Sequence, residues 1–250
     1  MTVLVFLHIP KTAGQTVHNA LARVVGQRNV SPVRVHTQAP SANQFPPGYG
    51  LYSGHLDWTA LDGLPRDRFV FSVLREPRER IASFYFYLRK EAAALSEEDL
   101  ARPENVGKFR ALHWTADDYF FGGDPPWQQF VRDHYDNFYC SYLATQKMRG
   151  FAEVSGLPEE ERIRRAVAGT AALDAVYSTV GLARLEADVA RLLGASVSIA
   201  GDRVNRGPLD PGLSRWRELV GRLGRDGSAE RLEAFATLDD RLLERLEIPV

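Results

Sequence analysis

Val3-Leu4-Val5-Phe6-Leu7-His8-Ile9-Pro10-Lys11-Thr12-Ala13-Gly14-Gln15-Thr16 is the stretch on which the reading of this chain turns. Val3 to Ile9 is a continuous apolar run rich in β-branched and aromatic residues, the pattern of a strand covered on both faces, as parallel sheets require. From Gly14 to Val25 the apolar positions Val17, Ala20, Leu21, Val24 and Val25 fall at i, i+3, i+4, i+7 and i+8, which predicts a helix packing back on that strand. The turn between them offers an ammonium, two hydroxyls and the unclaimed N–H groups of a helix start, where the backbone dipole also favours an anion. The plainer alternative is a surface turn whose threonine caps the helix.

The same order recurs downstream. Arg68 to Leu74 reads as a second buried strand running into a helix, with Pro77 in the first turn and Ile81, Phe84, Tyr85 and Leu88 as its apolar stripe. Weaker strands are expected at Val33 to Thr37, Tyr49 to Ser53 and Ala175 to Leu182, the last followed by a helix over Arg184 to Leu193 with Leu185, Val189, Leu192 and Leu193 inward. Residues 91 to 175 read as helical, broken near Pro103, Gly122 to Pro126 and Gly156 to Pro158, and Ser214 to Leu223 and Ser228 to Leu246 as amphipathic helices. Repeated β-then-α order predicts an α/β fold, an open, mainly parallel sheet flanked by helices, with ligands beyond the carboxyl ends of its strands. One domain over 1–250 is expected, with nucleotide-binding elements at 3–25, 68–90 and 175–212 and a helical, acceptor-binding region at 91–175. His8 to Thr12, Gly54-His55 and Arg75-Glu76-Pro77 should then share one rim of the sheet.

Composition bounds the chemistry. At 250 residues with a net charge of −1, the chain has no global attraction for nucleic acid or an anionic membrane, so any polyanion must be met locally. A single cysteine, Cys140, excludes an intrachain disulfide and a cysteine zinc site. The apolar start lacks a basic leader and is too short to span a bilayer, so a cytoplasmic protein with no membrane partner is expected.

The lysine turn differs from a Walker loop, because Pro10 stands where glycine must precede the lysine and Val5 replaces the upstream glycine. The strand at 69–74 ends in Arg75 rather than a magnesium-holding aspartate, and an arginine fork there suits a second phosphate; no metal is expected. Ser83, on the second turn of the following helix, could grip the same phosphate. Arg78 reads as a surface partner of Glu76 and Glu79, and Arg80 is open between that role and the site.

These residues resemble the sulfotransferases that use 3′-phosphoadenosine 5′-phosphosulfate (PAPS), and most closely the branch containing heparan sulfate 2-O-sulfotransferase. Pro10-Lys11-Thr12-Ala13 is similar to the 5′-phosphosulfate loop, Val73 to Pro77 with Ser83-Phe84-Tyr85 to the 3′-phosphate strand and helix, and Tyr52-Ser53-Gly54-His55 to the segment carrying the branch's catalytic histidine. The resemblance implies a P-loop-like sulfotransferase fold and PAPS as co-substrate, with PAP (3′-phosphoadenosine 5′-phosphate) as product. It implies contacts from Lys11 to the sulfuryl group and bridging oxygen, from Thr12, Ala13, Gly14, Gln15 and Thr16 to the 5′-phosphate, and from Arg75 and Ser83 to the 3′-phosphate. Gln15 stands where the family has a hydroxyl residue. Arg206, in Asp202 to Gly207, is the counterpart of the basic loop that covers the nucleotide.

His55 is the candidate general base, since an imidazole titrates near neutrality and this one follows a strand on the shared rim; Asp57 is the fallback. His8, His18, His36, His113 and His134 are read as structural or surface residues. The acceptor is expected to be a hydroxyl of a small metabolite or glycan. Tyr85, Tyr87, Trp114, Tyr119, Phe120, Phe121 and Trp127 either line its cleft or pack as core. Two rival readings are an ATP-dependent kinase on a degenerate loop and a non-catalytic module that binds a nucleotide or sulfated ligand.

Overall fold

A computed structural model of the chain describes residues 2–199, Gly201 and 214–250. Among these, β1 (Val3–Leu7), β2 (Leu51–Gly54), β3 (Arg68–Leu74) and β4 (Ala175–Ser178) form one parallel sheet in the order β2-β1-β3-β4. The two strands with unbroken apolar runs hold the centre, where both faces are covered. Helices α1 (Gly14–Val25) and α2 (Pro77–Ala93) follow β1 and β3. The interval before β4 carries α3 (Glu97–Leu100), α4 (Val106–His113), α5 (Ala116–Phe121), α6 (Pro125–Tyr135), α7 (Phe138–Thr145), α8 (Phe151–Val154) and α9 (Glu159–Thr170). After β4 come α10 (Leu182–Leu193), α11 (Arg215–Val220), α12 (Ser228–Glu233) and α13 (Thr237–Arg245).

Alternation along β1 divides the core. Leu4 and Phe6 face the layer of α1 and α10, packing with Val17, Leu21, Leu185 and Val189. Val5 and Leu7 face the opposite layer, with Phe138 and Tyr142 of α7, Ile163 of α9 and Leu242 of α13. A separate apolar cluster joins α2 to α4, α5, α6, α11 and α12. Cys140 lies inside the second layer, fully buried, donating its thiol hydrogen to the Leu238 carbonyl at 3.3 Å while its N–H donates to Asp239 Oδ1 at 2.9 Å.

Several element ends differ from expectation, each for a local reason. Val33 to Thr37 forms no strand; Val35 makes an isolated parallel bridge to His55, which extends the outer edge of β2. Strand β4 stops at Ser178, where the Gly181 N–H turns back to its carbonyl at 2.9 Å and starts α10 two residues early. Within α10, Leu192 falls off the 185/189/193 row and is exposed. The helix expected over 228–246 is two helices, because Asn137 is inserted between them. Its side-chain N–H donates to Ala234 O at 3.0 Å and its side-chain oxygen accepts from Leu238 N at 2.7 Å. No helix among the described residues is long and apolar enough to cross a membrane.

Candidate active site

Leu7 is paired with Gly54 on one side and Ser72 on the other, so the chain leaves β1, β2 and β3 at one end of the sheet. The three polar elements therefore do share a rim. The turn after β1 is held tightly: Thr12 is fully buried and its hydroxyl donates to Ile9 O at 2.9 Å. Lys11 (φ 72°) and Ala13 (φ 64°) both adopt the left-handed conformation, which non-glycine residues take only when their surroundings enforce it. Ala13 is the N-cap of α1 and no side chain caps this helix, so the capping threonine of the plainer reading is not what is found.

Gly14 is required by packing rather than by its own dihedrals. A Cβ there would lie 1.4 Å from Nε2 of His8, whose ring rests over the helix start. Thr16 is buried on the first turn, while exposed Gln15 donates to Asn19 Oδ1 at 2.8 Å along the outer face of α1.

His55 is fixed by the neighbouring loop. Its Nδ1–H donates to the His8 carbonyl at 2.6 Å, and its ring is tilted against that of His8 with centroids 4.3 Å apart. The carbonyl can only accept, so the neutral ring keeps its lone pair on Nε2. Burial, opposed in part by that hydrogen bond, lowers the His55 pKa below its usual 6.5, and Arg34, His36 and Lys11 lower it further. Gly54 lets this happen, since a Cβ would meet the Arg34 carbonyl at 2.2 Å, the same carbonyl that accepts from His55 N at 2.8 Å. Asp57 has both carboxylate oxygens engaged, by Ser41 Oγ at 2.7 Å and Met148 N at 2.8 Å, and holds loops together.

Arg75 lies across the loop from His55. Its Nη1 is 3.5 Å from the Lys11 carbonyl and its Nη2 3.2 Å from Glu79 Oε2. The Tyr139 hydroxyl accepts from Arg75 N at 3.1 Å and donates to Arg75 O at 2.8 Å, clamping the strand end. Glu79 also accepts from Ser214 Oγ at 2.8 Å and Trp216 N at 3.1 Å and lies 4.0 Å from Arg215, bringing the start of α11 to the site. Burial lowers the Lys11 pKa to about 8, with Arg75 and Arg215 adding to the effect. Ser83 is buried on the second turn of α2. Arg78 is half-buried and pairs with Glu76, Glu233 and Asp240, not with Glu79, whose carboxylate is turned to Arg75 and Arg215. Arg80 belongs to the core, stacked over Phe138 and donating to His134 O at 2.8 Å. Arg206 lies outside the described residues.

Cations thus gather at this rim although the chain as a whole is nearly neutral. Lys11, Arg75 and Arg215 crowd one side, and Glu79 is the carboxylate that contacts the two arginines. Arg34 sits on the other, 2.6 Å from His18 Nε2 and in no ion pair among the described residues. Such a surplus of positive charge at backbone donors suits a polyanionic ligand. The family model for the sulfotransferase family matches residues 2–160, well over half of the chain, and includes the turns after β1 and β3. The chain belongs to the sulfotransferase family. No curated protein matches it.

In this member of the sulfotransferase family the rim is also shaped by residues whose contacts could not be read from residue type. His8 reads as a generic histidine, yet its carbonyl sets the His55 tautomer and its ring demands Gly14. Tyr87 and Tyr85 are both aromatic positions of α2, but Tyr85 is core while Tyr87 is 39% exposed with Lys11 Nζ 3.9 Å above its ring. Tyr119, Phe120 and Trp127 are core as well. Tyr87 is one of seven candidate cleft aromatics, and its i+4 spacing from Ser83 is the signal that separates it from the others. Among the described residues, no His/Cys/Asp/Glu group is arranged to hold a metal ion.

Proposed function

We propose that this protein transfers the sulfuryl group of PAPS to an acceptor hydroxyl, with His55 as the base and Lys11 on the leaving side. The observation that carries the reading is that Arg75 Nη1 reaches the Lys11 carbonyl, at 3.5 Å. The turns after β1 and β3 therefore adjoin, which supports a ligand that carries a phosphate at each, as a doubly phosphorylated adenosine would. PAPS would supply a sulfuryl group already attached to a phosphate leaving oxygen. Lys11 and the backbone donors of Thr12, Ala13, Gly14, Gln15 and Thr16 would hold the 5′ side and neutralise the charge growing on that oxygen. The Thr12 hydroxyl donates to Ile9, so this residue would contribute its backbone. Arg75 with Ser83 would hold the 3′-phosphate, and Glu79 would keep the guanidinium oriented.

His55 would do its work at Nε2, taking the hydroxyl proton while Nδ1–H stays committed to His8 O. The Tyr52-Ser53-Gly54-His55 segment favours the heparan sulfate 2-O-sulfotransferase-like branch and a sugar or small-metabolite hydroxyl as acceptor. Calorimetric titration of PAP, AMP and ATP tests the donor reading. PAP should bind at least about tenfold tighter than AMP, since a charge-assisted hydrogen bond contributes about 1.5–3 kcal/mol. Equal affinities would remove Arg75 and Ser83 from the site, and transfer from ATP with magnesium, but not from PAPS, would mean a kinase.

A further inference from the structure

Lys11 is a buried cation among cations. Arg75, Arg215 and Lys90 disfavour its protonation, Glu91 supports it from the far end of α2, and His8 and His55 sense its charge across the loop. Among the described residues the ammonium makes no ion pair and no hydrogen bond; what it does meet is the face of Tyr87, 3.9 Å from the ring centroid. Glu79, Ser83, Tyr87 and Glu91 follow one another at four-residue steps and so form one face of α2. That face meets the loop at two points, Glu79 on Arg75 and Tyr87 under Lys11. The left-handed backbone of Lys11 is part of the same loop geometry.

We propose that Tyr87 is the positioning residue for Lys11: the face of its ring holds the ammonium protonated at the mouth of the loop before a donor binds. An aromatic face attracts a cation through its quadrupole and asks for no compensating negative charge, so it can support Lys11 without repelling an incoming phosphosulfate as a carboxylate would. The hydroxyl is not needed for this; the ring is. The inference rests on the reading of Lys11 as partner of the leaving oxygen.

The chain has four lysines, Lys11, Lys90, Lys108 and Lys147, which makes the pKa of Lys11 directly measurable. Competitive labelling with trace acetic anhydride from about pH 6 to about pH 10, read by mass spectrometry with Lys108 and Lys147 as internal references, needs no donor. Lys11 in Tyr87→Phe should titrate as in the parent, and in Tyr87→Leu it should titrate at least about half a unit lower, the size expected of a cation over an aromatic ring. Tyr87 is partly exposed, so both variants should keep the parent's unfolding midpoint, and Tyr87→Ile serves if the leucine variant does not. An unmoved Lys11 in the aliphatic variants, or an equal displacement in Tyr87→Phe, would overturn the proposal. If the labelling moves while the alkaline limb of PAPS turnover stays, the role of Tyr87 stands and the leaving-side role of Lys11 falls.

Discussion

Lys11 and His55 are displaced in the same direction by the same cause, loss of water, yet the displacement has opposite meaning for each. In the proposed mechanism the base must be neutral, and burial lowers the His55 pKa below 6.5, so His55 would stay competent down to lower pH than a free imidazole. An ammonium must be charged, and burial with Arg75 and Arg215 brings Lys11 down to about 8. The kcat/KM for PAPS should therefore be bell-shaped, falling as pH drops below 6.5 through the lowered His55 value and again as it rises through about 8. In kcat the alkaline limb should lie higher, because bound phosphate favours the charged lysine. Lys11→Ala should lose the alkaline limb and about two to three orders of magnitude in turnover, the usual cost of one preorganised donor of about 2.7–4 kcal/mol. A flat profile between pH 7 and pH 10 would contradict the assignment of Lys11. Residue types were the legible part of the site: Lys11, His55 and Arg75 stand out by what they are and where their strands end. His8 and Glu79 did not, and Tyr87 was only one of seven candidate aromatics, because their contributions come from a carbonyl, a counter-ion and a ring face that only neighbouring elements define.

At the scale of elements, the strand-turn-helix units were readable because covered strands and amphipathic helices have distinct periods. The interruptions were not. Asn137 and Gln146 take left-handed dihedrals at the ends of α7 without a glycine to announce them, and the C-terminal helix breaks where Asn137, a hundred residues away, replaces its own backbone partners. Helix α7 also bears on the site. Tyr139 N donates to Asp239 Oδ2 at 3.1 Å, and its hydroxyl clamps both backbone groups of Arg75. Tyr139→Phe should thus cost about 1–3 kcal/mol of stability, the range for a buried backbone group left unpartnered. It should also weaken PAP more than AMP, since Arg75 is aimed by that clamp. Unchanged PAP-over-AMP selectivity, measured by calorimetry, would show that the strand end holds Arg75 without help.

Over the whole molecule, the near-neutral composition concealed a rim of local positive charge, which is why net charge alone excluded global binding modes but was silent on the site. The family-matched residues 2–160 also omit β4, an edge of the sheet, and α13, whose Leu238, Leu242 and Leu243 complete the layer beneath it. That layer encloses the sole thiol of the chain. Burial raises its pKa well above the usual value, and it lies on α7 in a layer shared with α9 and α13. Alkylating reagents can reach it only when this layer opens, so reagent consumption becomes a clock for that opening. The rate of modification across a denaturant series should track loss of ellipticity; brisk reaction in native buffer would mean that the layer opens locally, without global unfolding.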